Sequence, residues 1–224
     1  MTIRWPEDVL RPQNVSFNIA PRSLAGPTSV SGVTQIVASD AGLWKITFGS
    51  IIVKDRAAVI THRAISTLLE GRLQPILVPF CRAYQPASAV GTADGLYDEV
   101  PHSDDAFFDD DTGYVGGSTE VVSAAMDARA VSGAVTIAYG GPIEPGQVFS
   151  IGERAYRLRT VVYTGTNTAN ITFRPPLREA APYGTFLNFD DPIVRCRLAS
   201  DDSMDLELAL RRFATPTVQF VEDL

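Results

Sequence analysis

Residues 146–198 read GQVFSIGERAYRLRTVVYTGTNTANITFRPPLREAAPYGTFLNFDDPIVRCRL. Val148, Phe149 and Ile151 lead into a turn at Gly152-Glu153. Tyr156, Leu158, Thr160 and Val162 then alternate with Arg157, Arg159, Val161 and Tyr163. A period of two built from β-branched and aromatic residues predicts a half-buried strand. Gly165-Thr166-Asn167-Thr168 tolerates positive φ, so the chain can reverse there. Ile171 and Phe173 belong to the returning strand, which Pro175-Pro176 must end because proline offers no N–H to the ladder.

The rest of the chain agrees with a mainly β reading. Its 224 residues are 45% hydrophobic, enough for one large β domain or two small ones with a proper core. The 17 glycines and 15 prolines punctuate short apolar runs and favour many strands over many helices. A formal charge of −7 and a pI of about 4.8 argue against sequence-specific binding of nucleic acid, which needs clustered Lys and Arg. No run of eighteen apolar residues predicts membrane insertion. The first residues, MTIRWPEDVLRPQ, lack the apolar core of a signal peptide, so synthesis and folding in a cytoplasm are expected. The two cysteines, Cys81 and Cys196, read as small buried residues, not a disulfide framework.

From the N-terminus, residues 1–15 are expected to form an extended arm, since Trp5-Pro6 and Arg11-Pro12 oppose helix. Trp5 is expected to dock on the body or on a neighbouring subunit. Val15, Phe17 and Ile19 predict a strand, and 20–29 (APRSLAGPTS) a loop long enough for a contact role. Val33, Ile36 and Val37 predict a further strand. A turn at Asp40-Ala41-Gly42 then leads to a strand with Trp44, Ile46 and Phe48 on one face and Lys45 and Thr47 on the other. One helix is expected over 55–70, capped by Asp55 and ended at Gly71. Its apolar stripe is read as Ile60, Ala64 and Leu68 with Ile65 and Leu69. His62, Arg63, Ser66 and Glu70 fall off it, which makes His62 a solvated residue. Residues 75–84 predict a strand.

Residues 86–118 change character. They are rich in Asp, Gly and Ser, have no period, and read as an acidic surface loop, of which residues 91–117 are expected to be dispensable for folding. Residues 119–139 fit a short helix followed by a strand, or strands throughout. Met204, Leu206, Leu208 and Leu210 alternate with polar residues and predict a strand, broken at Pro216 before a last one over 217–221.

The chemistry expected from these residues is not enzymatic. No G-x-S-x-G elbow is present, His62 lies on the predicted helix and His102 in the acidic loop, and Cys81 could pair with His62 only by accident of the fold. Asp109-Asp110-Asp111 before Gly113 offers oxygen atoms to a cation but lacks the register of a calcium loop, so no metal and no cofactor are expected. Arg154, Arg157, Arg159, Arg174, Arg178, Arg195 and Arg197 place positive charge on predicted strands. They read as solvated sheet surface or as an interface to an acidic neighbour. Tyr97, Phe107, Phe108 and Tyr114 are the aromatics that a carbohydrate-binding module would use.

The order GQVFSIG, AYRLRTVV, polar turn, ITFRPPLR, Gly-containing loop and VRCRLAS resembles distal tail and tail-tip (baseplate) structural proteins of long-tailed bacteriophages and prophages. The pairing of SGVTQ with GLWKITF before a helix is similar to the same family. The resemblance implies a tail-tube-like β-sandwich or split barrel with one packed helix, formed by residues 1–85 and 196–224. It implies an acidic insertion over 86–118 and a small β-barrel-like insert over 119–195, with strands in 119–139. The implied role is a ring in the virion tail that joins the tail tube protein to a tip hub or tape-measure protein. The ring is expected to be a homohexamer, with a homotrimer next. Trp5, Arg22, Leu24, Arg157, Arg159, Arg174 and Arg178 are the expected subunit interface. Another tail-tube or head–tail joining protein, or a carbohydrate-binding β module, is the alternative.

Overall fold

The computed structural model describes residues 2–28, 30–32, 34–86, 99–100, 114–115, 119–210 and 212–224. In chain order its elements are β1 (Ile3–Arg4), β2 (Asn14–Thr28), β3 (Thr34–Gly49), α1 (Arg56–Leu69), β4 (Ile76–Pro79), β5 (Glu99–Val100), β6 (Tyr114–Val115), β7 (Glu120–Ser123), β8 (Ser132–Tyr139), β9 (Val148–Ile151), β10 (Arg154–Tyr163), β11 (Thr168–Arg174), β12 (Phe186–Asn188), β13 (Ile193–Leu198) and β14 (Val218–Glu222). The chain is thus mainly β with one helix. It divides into two compact units, one made of 1–79 with 194–224 and the other of 80–193.

The second unit holds a closed six-stranded barrel in the order β10-β11-β8-β7-β12-β9. Closure gives every strand two partners and leaves no edge. Residues 119–139 hold two strands, β7 and β8, and Met126 between them bridges to Ala181. Inward residues fill the barrel. Phe149 lies 5.5 Å from Tyr156, 5.6 Å from Phe173 and 5.4 Å from Phe189, ring centre to ring centre. Val121, Ile137, Leu158, Ile171 and Leu187 complete the core. The β10 alternation is not continuous. Leu158 pairs with Phe173 and Thr160 with Thr172, so Arg159 is a bulged extra residue. The bulge turns Val161 toward the core and leaves Val162 59% exposed, reversing the expected faces beyond Arg159. β5 and β6 pair as a small two-stranded sheet within the acidic insertion, most of which lies outside the described residues.

The first unit is a six-stranded sheet in the order β1-β4-β13-β14-β3-β2. Trp44, Ile46 and Phe48 of β3 are buried and Lys45 is exposed, as their alternation predicts. Of the predicted loop at 20–29, residues 20–28 are strand, and so is the predicted turn at 40–42. β2 and β3 form one long hairpin reversing at Val30–Gly32, where Gly32 has φ 79°. Proline and glycine mislead here because β2 is the edge of its sheet, where a missing N–H is tolerated. The ladder steps around each proline. Asp40-Ala41-Gly42 bulges opposite Pro21, and Gly26-Pro27 opposite Gln35. Gly42 is required at its bulge, since a Cβ there would meet Ile19 Cγ2 at 2.8 Å.

α1 starts as its sequence predicts, with Asp55 Oδ1 accepting from Ala58 N–H at 2.8 Å, and ends through Glu70 (φ 47°) and Gly71 (φ 66°). Its buried face is Ala58, His62, Ile65 and Leu69. Ile60 and Leu68 of the expected stripe are 48% and 55% exposed. Both stripes recur at helical spacing, and the covered one carries a histidine. Cys196 is buried, whereas Cys81 is exposed just past the end of β4. Residues 204–210 are not a strand. Met204 is buried, but Leu206 and Leu208 are half-buried and Leu210 is exposed in an irregular connection.

Candidate interaction surfaces

The expected interface residues do not form one patch. Trp5 belongs to the core of its own unit. Its ring is 5.6 Å from Phe48 and 5.5 Å from Phe220, its Nε1 donates to Leu10 O at 3.1 Å, and its backbone N–H donates to Leu77 O at 2.9 Å. A buried indole with its donor satisfied holds the arm down and offers no surface to a neighbour. Of the expected interface residues, Trp5 is therefore withdrawn.

Arg157, Arg159, Arg174 and Arg178 lie in the barrel unit. Arg157 stands directly opposite Arg174 across β10 and β11, and burial lowers the Arg157 guanidinium from its usual range. Arg159 is exposed at the bulge. Arg178 is half-buried, and its backbone N–H donates to the Tyr156 hydroxyl at 3.1 Å. Arg157, Arg174 and Arg178 each take part in interactions within the chain. Arg195 and Arg197 serve their own sheet. Their Nε atoms donate to Asp223 at 2.9 and 2.6 Å, and Arg197 also reaches the carbonyls of Arg72 and Leu73. Burial raises the Asp223 carboxyl, but hydrogen bonds and charge from Arg197 and Arg195 outweigh it and hold the group below the ordinary range.

Arg22 and Leu24 lie on the outer part of the β2–β3 hairpin, with Arg22 opposite Ser39 and Leu24 opposite Val37. β14 pairs with β3 only over Lys45–Phe48. There the ladder ends at a carboxylate, because Trp44 N–H donates to the buried Glu222 Oε2 at 3.1 Å. Beyond Trp44, residues 34–43 have β2 as their one strand partner among the described residues. The hairpin therefore runs on as a two-stranded ribbon for roughly 30 Å at strand rise. Pro21, Pro27, Thr28, Thr34 and Gln35 on it are exposed.

No family model and no curated protein matches the chain. The candidate cation site at Asp109–Asp111, His102 and the carbohydrate aromatics Tyr97, Phe107 and Phe108 lie outside the described residues, and of Tyr114 only the backbone is described. Among the described residues no group of three or more His, Cys, Asp or Glu could hold a metal, and no helix is long and apolar enough to cross a membrane. His62 is fully buried on α1, and among the described residues neither ring nitrogen has a hydrogen-bond partner. Burial lowers its pKa from the usual 6.5. Its helical spacing with Ala58, Ile65 and Leu69 was the available signal. The polar side chain concealed it.

Proposed function

We propose that this chain is a structural subunit of a phage tail tip, a distal-tail ring that joins the tail tube to the tip proteins. The observation that carries the reading is the β2–β3 ribbon. A two-stranded ribbon is marginal by itself in water and offers its edges to a further strand. Edge pairing with another copy supplies that strand. The two edges differ, since β2 carries Pro21 and Pro27 while residues 34–43 of β3 contain no proline. A head-to-tail arrangement of unlike edges is a heterologous contact, the kind that closes cyclic rings. Arg22 and Leu24 are the candidate interface residues on this ribbon.

Charge supports the same role. Over residues 20–42 the only charged residues are Arg22 and Asp40, so a channel wall built from ribbons has no cluster of cations to hold DNA. The experiment is cryo-electron microscopy of the purified chain and of a variant with Asn-Gly between Arg22 and Ser39 in place of residues 23–38. The full chain is expected to form closed six-fold rings, with three-fold closure as the next candidate, and the variant to remain folded and to form no ring. Rings that persist without the ribbon, or a full chain that never assembles with itself or on a tail tube, would overturn the reading.

A further inference from the structure

The connection between β13 and β14 contains a turn that local stability does not explain. Ala209 N–H donates to Phe213 O at 2.8 Å, Phe213 N–H returns to Ala209 O at 3.1 Å, and Arg212 N–H also donates to Ala209 O at 3.0 Å. The turn so closed holds Leu210 at φ 50°. That left-handed backbone suits glycine or asparagine and strains leucine. The Leu210 side chain is 95% exposed and that of Phe213 is 48% exposed. Strain and exposed apolar surface both oppose folding here, and Leu210 differs from Ser50, Glu70 and Arg129, the other non-glycine residues at positive φ among those described, in carrying a large exposed apolar side chain. Beside the turn lies a groove of about 350 Å³ lined by Asp205, Glu207, Ala209, Phe213, Ala214 and Pro216, with Thr215. Asp205, Glu207 and Arg212 are exposed, and Arg211 lies outside the described residues.

We propose that this face pairs with the same face of a second copy of the chain. Leu210 of each copy enters the groove of the other, and Arg212 meets Asp205 and Glu207. The choice of a second copy rests on complementarity. One short segment carries both an apolar knob beside a cation and a groove of mixed lining, with Phe213, Ala214 and Pro216 beside the carboxylates of Asp205 and Glu207. A two-fold rotation sets each against its counterpart, which is the definition of an isologous interface. A foreign partner would call for one of the two halves. Arginine also suits the carboxylate rim because its planar fork can pair with it. The net charge of −7 otherwise drives copies apart, so the pairing has to supply the local attraction. The face is separate from the β2–β3 ribbon. It doubles whatever the ribbon builds, whether a single chain or a ring.

The test is sedimentation velocity on the full chain, comparing wild type with Leu210→Asp, Arg212→Glu, Glu207→Arg and the Arg212→Glu/Glu207→Arg pair. Wild type is expected at twice the mass of Leu210→Asp. Each single charge reversal is expected to weaken the association about tenfold or more, and the pair to regain most of it. Leu210→Gly separates association from folding, because glycine relaxes the turn. It should melt no lower than wild type and yet dissociate like Leu210→Asp. The proposal is overturned if Leu210→Asp leaves the particle mass unchanged, if wild type is never doubled, or if the charge pair fails to restore association. Doubling of a particle that is not a ring would sink the ring and leave this interface standing. Rings that do not pair would do the reverse.

Discussion

The β10–β11 and β2–β3 hairpins are built to opposite rules. β10 and β11 each have a second neighbour, β9 and β8, and close into a barrel with a filled interior. β2 lies at the edge of its sheet, and β3 loses its second neighbour beyond Trp44. The barrel hairpin has one covered face, so its sequence must alternate, and proline is confined to its end. The ribbon has no second strand partner among the described residues beyond Trp44. Prolines and bulges there carry little penalty, and the period disappears. What hides a strand in the sequence is also what leaves it available to a partner.

The largest effect is expected inside the barrel. Phe149 touches three other rings and is fully buried. Phe149→Ala should destabilise the barrel unit by ~3–5 kcal/mol, read as a fall in denaturant midpoint. A change under about 1 kcal/mol would mean that the barrel does not depend on its aromatic centre, and the contrast with the ribbon would fail.

Legibility followed coverage in the same way. The strands of 146–198, the burial of Trp44, Ile46 and Phe48, and both ends of α1 could be read from period, proline and caps. The ribbon could not, because Pro21, Gly26-Pro27 and Asp40-Ala41-Gly42 spell loop in any sequence, and only the edge position makes them strand. The face of α1 could be read in part. Ile65 and Leu69 of the expected stripe are buried, whereas Ile60, Ala64 and Leu68 are exposed, and Ala58 and His62 take their place on the covered face because the tertiary fold decided which side packs. Of the candidate interface, Trp5 fits the body or a neighbouring subunit equally well in sequence, because the partners that bury it, Phe48 and Phe220, are distant along the chain. The turn at Leu210 looked like a strand end because its left-handed backbone leaves no mark on residue type.

α1 sharpens the comparison, having one covered and one open face on a single element. Leu69→Ala should destabilise the first unit by ~2–5 kcal/mol, while Leu68→Ala should stay within about 0.5 kcal/mol. Equal losses in a thermal melt would mean that both faces are covered. His62 tests the covered face differently. Its pKa in the folded chain lies below 6.5, so between those two values the unfolded chain binds more protons and stability rises with pH. The contribution is complete above 6.5 and is lost as pH falls through that window. His62→Leu should therefore flatten stability below pH 6.5. It should also raise stability near neutral pH by ~1–3 kcal/mol, since it removes buried nitrogens without partners. Denaturant titrations between pH 5 and 8 check both signs, and an unchanged slope in the variant would place the histidine in water.

The smallest effect on the isolated chain is expected at the ribbon. Placing Asn-Gly between Arg22 and Ser39 in place of residues 23–38 joins two residues that already face each other across the hairpin, and Asn-Gly supplies the positive φ of a tight reversal. The deletion removes backbone pairing but leaves Trp44, Ile46, Phe48, Val218 and Phe220, the buried residues where β3 meets β14. A long two-stranded ribbon adds little stability, because ordering its residues opposes its hydrogen bonds almost equally. The shortened chain should unfold within about 0.5 kcal/mol of the full one, measured by equilibrium denaturation of each at a concentration too low for assembly. A loss of ~2 kcal/mol or more would mean that the ribbon packs on its own chain. It would then be covered like the barrel hairpin, and the edge that the ring reading needs would already be occupied.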